Sequence, residues 1–251
     1  MKDLMKSKAL SNYFIDKANF VAYNVFDMSN IFYKFNQDTL IPATVTRNGK
    51  QTPVWMQQRW EDGEYAVYVR QSGCGHCCTS MVLNLLGIEI NPHEHVKRCV
   101  KRWGEPKISK NGNQQYYFLT PKGIVDSLAS FGVEAKCYGH KSQGVDSAME
   151  HIINSLKDGK MVIFISSPLE TFKENPFSKG DHYVLALGIT DEGKIIIANS
   201  STNGVYEIGE GIQIVDRETI KKSLNPIAEP LKETWGEIVD LHLGIGYIVV
   251  E

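Results

Sequence analysis

The sequence has little that would indicate a membrane or a nucleic acid as its setting. No run approaches the roughly 20 consecutive apolar residues that a bilayer-spanning helix requires. Charge of one sign is not concentrated either, because 27 Lys and Arg against 29 Asp and Glu give a net charge of -2 over 251 residues, with no block of like charges. This balance gives no reason to expect nucleic acid or an anionic membrane as a partner.

Cysteine is scarce and unevenly placed. The chain has five cysteines, and three of them lie within the five residues 74–78. An odd count with this crowding is a poor disulfide framework and favours a reducing compartment. The N-terminal segment MKDLMKSKALSNYFIDKANF lacks the apolar run of a signal peptide. We therefore expect a soluble, cytoplasmic protein, and its oligomeric state is left open.

The segment GCGHCCTSMVLNLLG, residues 73–87, is the most informative part of the chain. Its apolar residues recur at helical spacing, which predicts one buried helix face. Cys74 would stand at the start of this helix, where unpaired amides and the helix dipole stabilise a thiolate. Cys78 lies on the apolar face and is expected to pack in the core. His76, two positions after Cys74, is expected to point to the rim or the exposed side.

The remaining pattern predicts an α+β fold, with helices in the first half and antiparallel strands in the second. Residues 1–50 are interpreted as an N-terminal extension packed on a main domain that spans residues 51–251. The segment EYAVYV (64–69) is predicted to be a strand. Helices are predicted at 93–103, 121–131 and 145–156, and strands at 116–119, 133–138, 160–166, 182–189, 194–199, 212–215 and 245–250.

A cysteine nucleophile needs a base, a group that orients the base, and donors for the oxyanion. His182 is the best candidate base because it opens a strongly apolar strand after a Gly-Asp turn. The following hairpin returns the chain to Asn199, whose side-chain oxygen would fix the imidazole tautomer. Gln57 is the preferred side-chain oxyanion donor, with Gln58 and Gln71 as lesser candidates.

Four motifs occur in a fixed order along residues 53–201. They are Trp-Met-Gln at 55–57, Ser-Gly-Cys-Gly at 72–75, Gly-Lys-Met-Val-Ile at 159–163, and Phe-Ser-Lys-Gly-Asp-His-Tyr-Val-Leu-Ala-Leu-Gly at 177–188. In these motifs the chain resembles the papain-like cysteine peptidases grouped with the bacteriocin-leader (double-glycine) peptidases, in their broad "like" subfamily. The resemblance implies a papain-like fold, with an N-terminal helical half and a C-terminal antiparallel sheet half.

The resemblance also implies roles for individual residues: Cys74 as nucleophile, His182 as base, Asn199 as orienting group and Gln57 as oxyanion donor. The implied activity is that of a cysteine peptidase or amidohydrolase on a peptide or acyl-amide substrate, with no cofactor or metal needed. The sequence departs from the family pattern at two places. His-Cys-Cys follows Cys-Gly where Pro and small residues are usual, and Asn199 stands where Asp is usual.

Three other interpretations remain open at this point. Cys74-x-x-Cys77 after a predicted strand suggests a thioredoxin-like thiol-disulfide oxidoreductase. Cysteines 74, 77 or 78 together with His93, His95 and Cys99 suggest a zinc site, although His93 and His95 diverge on a helix. A catalytically silent binding protein that keeps the papain fold is the third. Neither the substrate nor the choice between hydrolysis and acyl transfer follows from the sequence.

Overall fold

A computed structural model describes residues 20–23, 44–60, 63–105, 107–108, 114–115, 120–139, 144–166, 175–201, 211–224 and 246–251. The helices in these ranges are α1 (Ala66–Ser72), α2 (Cys74–Leu85), α3 (Pro92–Trp103), α4 (Pro121–Ser130), α5 (Val145–Lys157) and α6 (Arg217–Ser223), and Gln57–Arg59 forms a short 3-10 helix. The strands are β1 (Phe20–Tyr23), β2 (Thr44–Arg47), β3 (Lys50–Pro53), β4 (Lys107–Ile108), β5 (Gln114–Gln115), β6 (Ala135–Gly139), β7 (Met161–Ser166), β8 (His182–Ile189), β9 (Ile195–Ala198), β10 (Ile212–Val215) and β11 (Gly246–Val250).

A six-stranded antiparallel sheet in the order β10-β9-β8-β7-β11-β6 forms the centre of the described structure. Its two central strands, β7 and β8, are buried almost along their whole length. Their continuous apolar runs fit this position, since strands covered on both faces do not alternate with polar residues. The register between β8 and β9 shifts between Ala186 and Gly188, which marks a bulge at Leu187.

Helix α2 packs against strand β8 of the six-stranded sheet and is buried on every side. All residues from Gly75 to Leu85 are buried, including polar ones. It contacts strands β3 and β8 and helices α1, α3 and α4. The sequence predicted one buried face, but three neighbouring helices cover the others. A helix that is packed on all sides in this way fixes the position of the residue at its N-terminus.

The helix starts follow the capping signals in the sequence. Asn91 accepts a hydrogen bond from the amide of Glu94 at 2.9 Å, and Thr120 accepts one from Gly123 at 2.9 Å. In both helices proline follows at the first helical position, where its missing amide costs nothing. The predicted helices at 93–103, 121–131 and 145–156 are therefore confirmed to within one or two residues.

One predicted element is wrong. The segment EYAVYV was predicted as a strand, but Ala66–Ser72 forms helix α1. Ala66 and Val69, three residues apart, both point into the core, which is the spacing of a helix face. The β-branched and aromatic residues there have only a weak strand preference, and burial against the 3-10 helix and α2 overrides it.

The region before residue 51 is described only in part. Strand β2 forms a hairpin with β3 across the turn at Asn48 and Gly49, and β1 pairs with β2. Thus the described strands of this region pair into a sheet that continues past residue 50. The division of the chain into an extension and a main domain remains a prediction, as does the strand at 116–119, which lies outside the described residues.

Helices on an antiparallel sheet, with α1–α4 preceding most of the sheet strands, form the mixed architecture of the papain-like class. In the described part of the chain, the helices are all too short or too polar to cross a bilayer.

Candidate active site

The junction of α1 and α2 fixes the position of Cys74. Gly73 is the single residue between the helices, and its amide donates to the carbonyl of Val69 at 2.9 Å. A side chain would not fit here, because a Cβ atom at position 73 would lie 2.4 Å from the Val69 carbonyl oxygen. Cys74 is consequently the first residue of α2, as the sequence predicted, where backbone amides lack helical partners.

The Cys74 side chain is half-buried, and none of the five cysteines forms a disulfide. Burial raises the pKa of this thiol, and the negative charge of Asp181 adds to the rise. The nearby backbone amides of Tyr183, Gly75 and Cys74 itself stabilise the thiolate and so oppose this rise in pKa. The effects of Asp181 and Tyr183 place the sulfur near the start of β8.

His182 begins β8, directly before the Tyr183 amide that reaches Cys74. Its side chain is buried, and Nε2 lies 2.8 Å from Oδ1 of Asn199. Burial lowers the pKa of His182 to about 4, against the opposing effect of the Asn199 hydrogen bond. Charging Cys74 or His182 alone is thus disfavoured by burial.

Asn199 follows β9, and both polar atoms of its side chain form hydrogen bonds. Nδ2 donates to the Phe177 carbonyl at 3.0 Å and to Oε1 of Gln213 at 2.8 Å, while Oδ1 accepts from the Ser201 amide at 2.9 Å. Reversing the amide would place donors against donors and acceptors against acceptors. Oδ1 must therefore face His182, so Nε2 of His182 carries the proton and Nδ1 keeps its lone pair.

Gln213 is a site residue that the sequence analysis missed. It lies on β10, is buried, and its Nε2 donates to the Pro176 carbonyl at 2.9 Å. Since its Oε1 accepts from Asn199, Gln213 fixes the amide that faces His182. The signal was present in the sequence Ile-Gln-Ile-Val, where one polar residue interrupts an apolar strand.

Gln57 begins the 3-10 helix and lies between the two halves of the site. Its backbone amide donates to the Ser200 carbonyl at 2.9 Å, next to Asn199. Its side-chain Nε2 donates to the Arg70 carbonyl on α1 over 3.5 Å, which is a weak bond. Within the described residues, Oε1 of Gln57 is buried and has no hydrogen-bond partner. The side chain thus lies at the α1–α2 junction and is loosely held there.

The two lesser glutamine candidates differ in exposure. Gln58 is half-buried, and Gln71 is exposed on α1. Gln57 alone of the three is buried between the α1–α2 junction and the end of β9, which is where a donor to the cleft is needed.

The other cysteines are core residues. Cys77 and Cys78 are fully buried, and burial raises their thiol pKa values well above the ordinary range. Burial also raises the pKa of Cys99 and of Cys137 to about 12 each. The redox interpretation also required a strand before Cys74-x-x-Cys77, but a helix precedes this motif.

His76 was predicted to be exposed or at the rim, and this is wrong. It is 1% exposed, and Nδ1 lies 2.6 Å from Nδ1 of His95. Helices α1 and α3 cover the sides of α2 that the sequence analysis expected to be exposed. A residue on the side of α2 opposite to Cys74 is therefore buried between these helices. His93, which the sequence grouped with His95, instead accepts from the Tyr65 amide at 3.3 Å through Nε2.

Comparison with known proteins gives a family and a distant structural likeness. A model of the Peptidase_C39 like family matches residues 51–226. Among solved structures, the chain is similar to a double glycine motif protease from an AMS/PCAT transporter, determined in complex with the leader peptide. The two are 17% identical, with 70% of this chain and 83% of that chain covered and a TM-score of 0.37. The search of curated proteins gives no significant match.

Proposed function

Because the chain belongs to the Peptidase_C39 like family, we propose that it is a cysteine peptidase or amidohydrolase with Cys74 as its nucleophile. His182 is the general base, Asn199 orients it, and Gln57 donates to the oxyanion. The observation that carries the proposal is the 2.8 Å contact between His182 Nε2 and Asn199 Oδ1. This contact leaves the lone pair of His182 Nδ1 to take a proton, and the backbone of Tyr183, the residue that follows His182, lies close enough to affect the pKa of Cys74.

The reaction begins with transfer of the thiol proton of Cys74 to Nδ1 of His182. The thiolate attacks the carbonyl carbon of the substrate, and the carbonyl electron pair moves onto oxygen. The resulting oxyanion accepts hydrogen bonds from the Cys74 amide and from Nε2 of Gln57. The weak bond from Gln57 to Arg70 can be exchanged for this stronger one, since bonds to a charged acceptor are the stronger kind.

Collapse of the intermediate breaks the carbon–nitrogen bond and leaves an acyl thioester on Cys74. The departing amine takes the proton from His182. Water, deprotonated by the same imidazole, then hydrolyses the thioester and restores the thiol. An amine acceptor in place of water would give acyl transfer by the same steps. The substrate class is a peptide or acyl amide bound in extended form along the cleft.

Alkylation by iodoacetamide across pH, with the modified residue located by mass spectrometry, tests the pairing of Cys74 with His182. We expect Cys74 alone to react rapidly near neutral pH, and His182→Ala to slow this reaction at least tenfold. Cys77→Ala serves as a matched control, because Cys77 is fully buried on the same helix. Loss of labelling in Cys74→Ala confirms the assignment of the reactive residue.

Three results would overturn the proposal. Equal labelling rates in the wild type and in His182→Ala would show that His182 is not the base for Cys74. A reversible disulfide between Cys74 and Cys77, indifferent to His182, would support the oxidoreductase interpretation. If Cys74 pairs with His182 but no member of a peptide library is cleaved, the fold serves binding and the hydrolase assignment fails.

A further inference from the structure

On the side of α2 opposite to Cys74, three metal-ligating side chains meet in the core. They are His76 on α2 and His95 and Cys99 on α3, each at most 1% exposed. One nitrogen of each imidazole and the sulfur all lie within 4.8 Å of one another. The proposed peptidase chemistry uses none of them.

The spacing of these residues explains their convergence. His95 and Cys99 are four residues apart on one helix and share its face. His76 follows Cys74 by two residues, a rotation of about 200° around the helix axis, so its ring points away from the cleft and toward α3. The cluster is therefore a separate buried group of side chains, on the opposite side of the helix that carries Cys74.

Both imidazoles show the same hydrogen-bonding pattern. Nε2 of His76 lies 3.2 Å from the hydroxyl of Tyr68, and Nε2 of His95 lies 2.6 Å from the hydroxyl of Ser127. Their Nδ1 atoms face each other at 2.6 Å. Metal-ligating histidines are typically held in this way, with the second ring nitrogen donating to a partner outside the metal.

The facing Nδ1 atoms have a consequence for charge. If each neutral ring donates its one N–H from Nε2 to its hydroxyl, both Nδ1 atoms carry lone pairs directed at one another. That arrangement is repulsive, and it is relieved either by a cation between the rings or by one ring moving its proton to Nδ1 and accepting from its hydroxyl at Nε2. The Cys99 sulfur completes the group, since it lies within 4.8 Å of one nitrogen of each imidazole.

We propose that His76, His95 and Cys99 bind one d10 metal ion, Zn²⁺ or Cu⁺, through two Nδ1 atoms and a thiolate. Imidazole and thiolate are the ligands that these borderline and soft ions prefer. Metal–nitrogen bonds of about 2.0 Å require the two Nδ1 atoms to separate by less than about 1 Å, a small rotation of the rings. The Cys99 thiolate neutralises Cu⁺ completely, whereas Zn²⁺ keeps one positive charge.

The bound ion would join α2 and α3 on the side of α2 opposite to the nucleophile, and the contact between His95 and Ser127 would connect α4 to them. It would be structural, because the cluster is sealed from solvent and faces away from the cleft. The zinc site considered from sequence shares His95 and Cys99 with this one, but it took His93 and a cysteine at 74, 77 or 78 where the structure brings in His76.

The test uses the full chain, stripped with a chelator and then loaded separately with Zn²⁺ or, under anaerobic reducing conditions, with Cu⁺. Metal retained after gel filtration is measured by mass spectrometry. We expect about one equivalent in the wild type, a raised Tm, and at least tenfold weaker binding in Cys99→Ser and His95→Gln. Cys74→Ala and Cys137→Ser are controls that should keep the wild-type affinity, the first excluding the catalytic cysteine.

Retention of the metal by Cys99→Ser, or its loss from Cys74→Ala, would overturn the proposal, as would no retention by the wild type. If Cys99→Ser fails to fold, X-ray absorption on the loaded wild type decides instead. Two imidazoles and one sulfur around the ion support the site, and a sulfur-free environment refutes it. Competition with a chelator of known affinity, carried out for each ion, shows whether the site binds Zn²⁺ or Cu⁺ more tightly.

Discussion

Nε2 of His182 lies 2.8 Å from Oδ1 of Asn199, and that amide is held in one orientation by three further bonds. The contact determines which ring nitrogen carries the proton. In the mechanism that we propose, an imidazole that is fixed in one tautomer does not need to reorganise when it accepts the proton of Cys74.

We expect Asn199→Ala to lower kcat by about 10²-fold with little change in KM. Without Oδ1 the imidazole is free to adopt the wrong tautomer and to rotate, while groups that bind the substrate are unaffected. Steady-state kinetics on a cleaved peptide measures both constants. A rise in KM at constant kcat would show that Asn199 contacts substrate instead.

Gln213→Leu should lower kcat by about tenfold, less than the loss in Asn199→Ala. Leucine removes the acceptor for Asn199 Nδ2, but the bonds to the Phe177 carbonyl and from the Ser201 amide remain. Gln213→Glu is the closer replacement, because it keeps the acceptor for Asn199 and loses only the donor to the Pro176 carbonyl. Kinetics that rank the wild type first, then Gln213→Glu, then Gln213→Leu would support a positioning role, whereas equal losses in both variants would indicate a general packing defect.

The part of the site that is local in sequence was predictable, and the part that depends on neighbouring elements was not. Gly73 and the apolar spacing after Cys74 place the cysteine at a helix start by local rules. His182 and Asn199 followed from a hairpin whose turn at Asp191 to Gly193 is also local. Each of these rests on fewer than 20 residues of chain.

Gln213 and His76 depend on contacts that no local pattern records. Gln213 reaches Asn199 because β10 adds to the outer edge of β9. His76 is buried because α1 and α3 cover two sides of α2. Helix α1 itself was missed, since the residues of EYAVYV fit a strand by propensity and only their packing partners favour the helix. In each case tertiary context overrides the local signal.

Gln57→Ala should lower kcat/KM by about 10²-fold, the cost of removing one oxyanion donor. Alkylation of Cys74 by iodoacetamide should remain as fast as in the wild type, because no oxyanion forms in that reaction. Gln71→Ala is the matched control, since Gln71 is exposed on α1 and should have no effect on either rate. A parallel loss of alkylation and peptide cleavage in Gln57→Ala would mean that the side chain positions Cys74 rather than the oxyanion.

Stability at acid pH should depend on His182. Its pKa is about 4 in the folded protein, against an ordinary 6.5, because burial disfavours the charged ring. The unfolded chain therefore takes up a proton at this residue near pH 6.5, and the folded protein takes it up only near pH 4. The contribution of His182 to the free energy of unfolding is complete above pH 6.5 and is lost as the pH falls to 4, for a total of about 3 kcal/mol.

Replacing His182 by Gln removes this titration while keeping a polar group beside Asn199. Urea unfolding at pH 7, 6, 5 and 4 should show a stability gap between the wild type and His182→Gln that narrows toward pH 4. Burial lowers the pKa of His95 to about 3, and this contributes equally to both proteins and cancels in the difference. A gap that stays constant across the four pH values would show that His182 is protonated to the same extent folded and unfolded, which its burial at 3% exposure argues against.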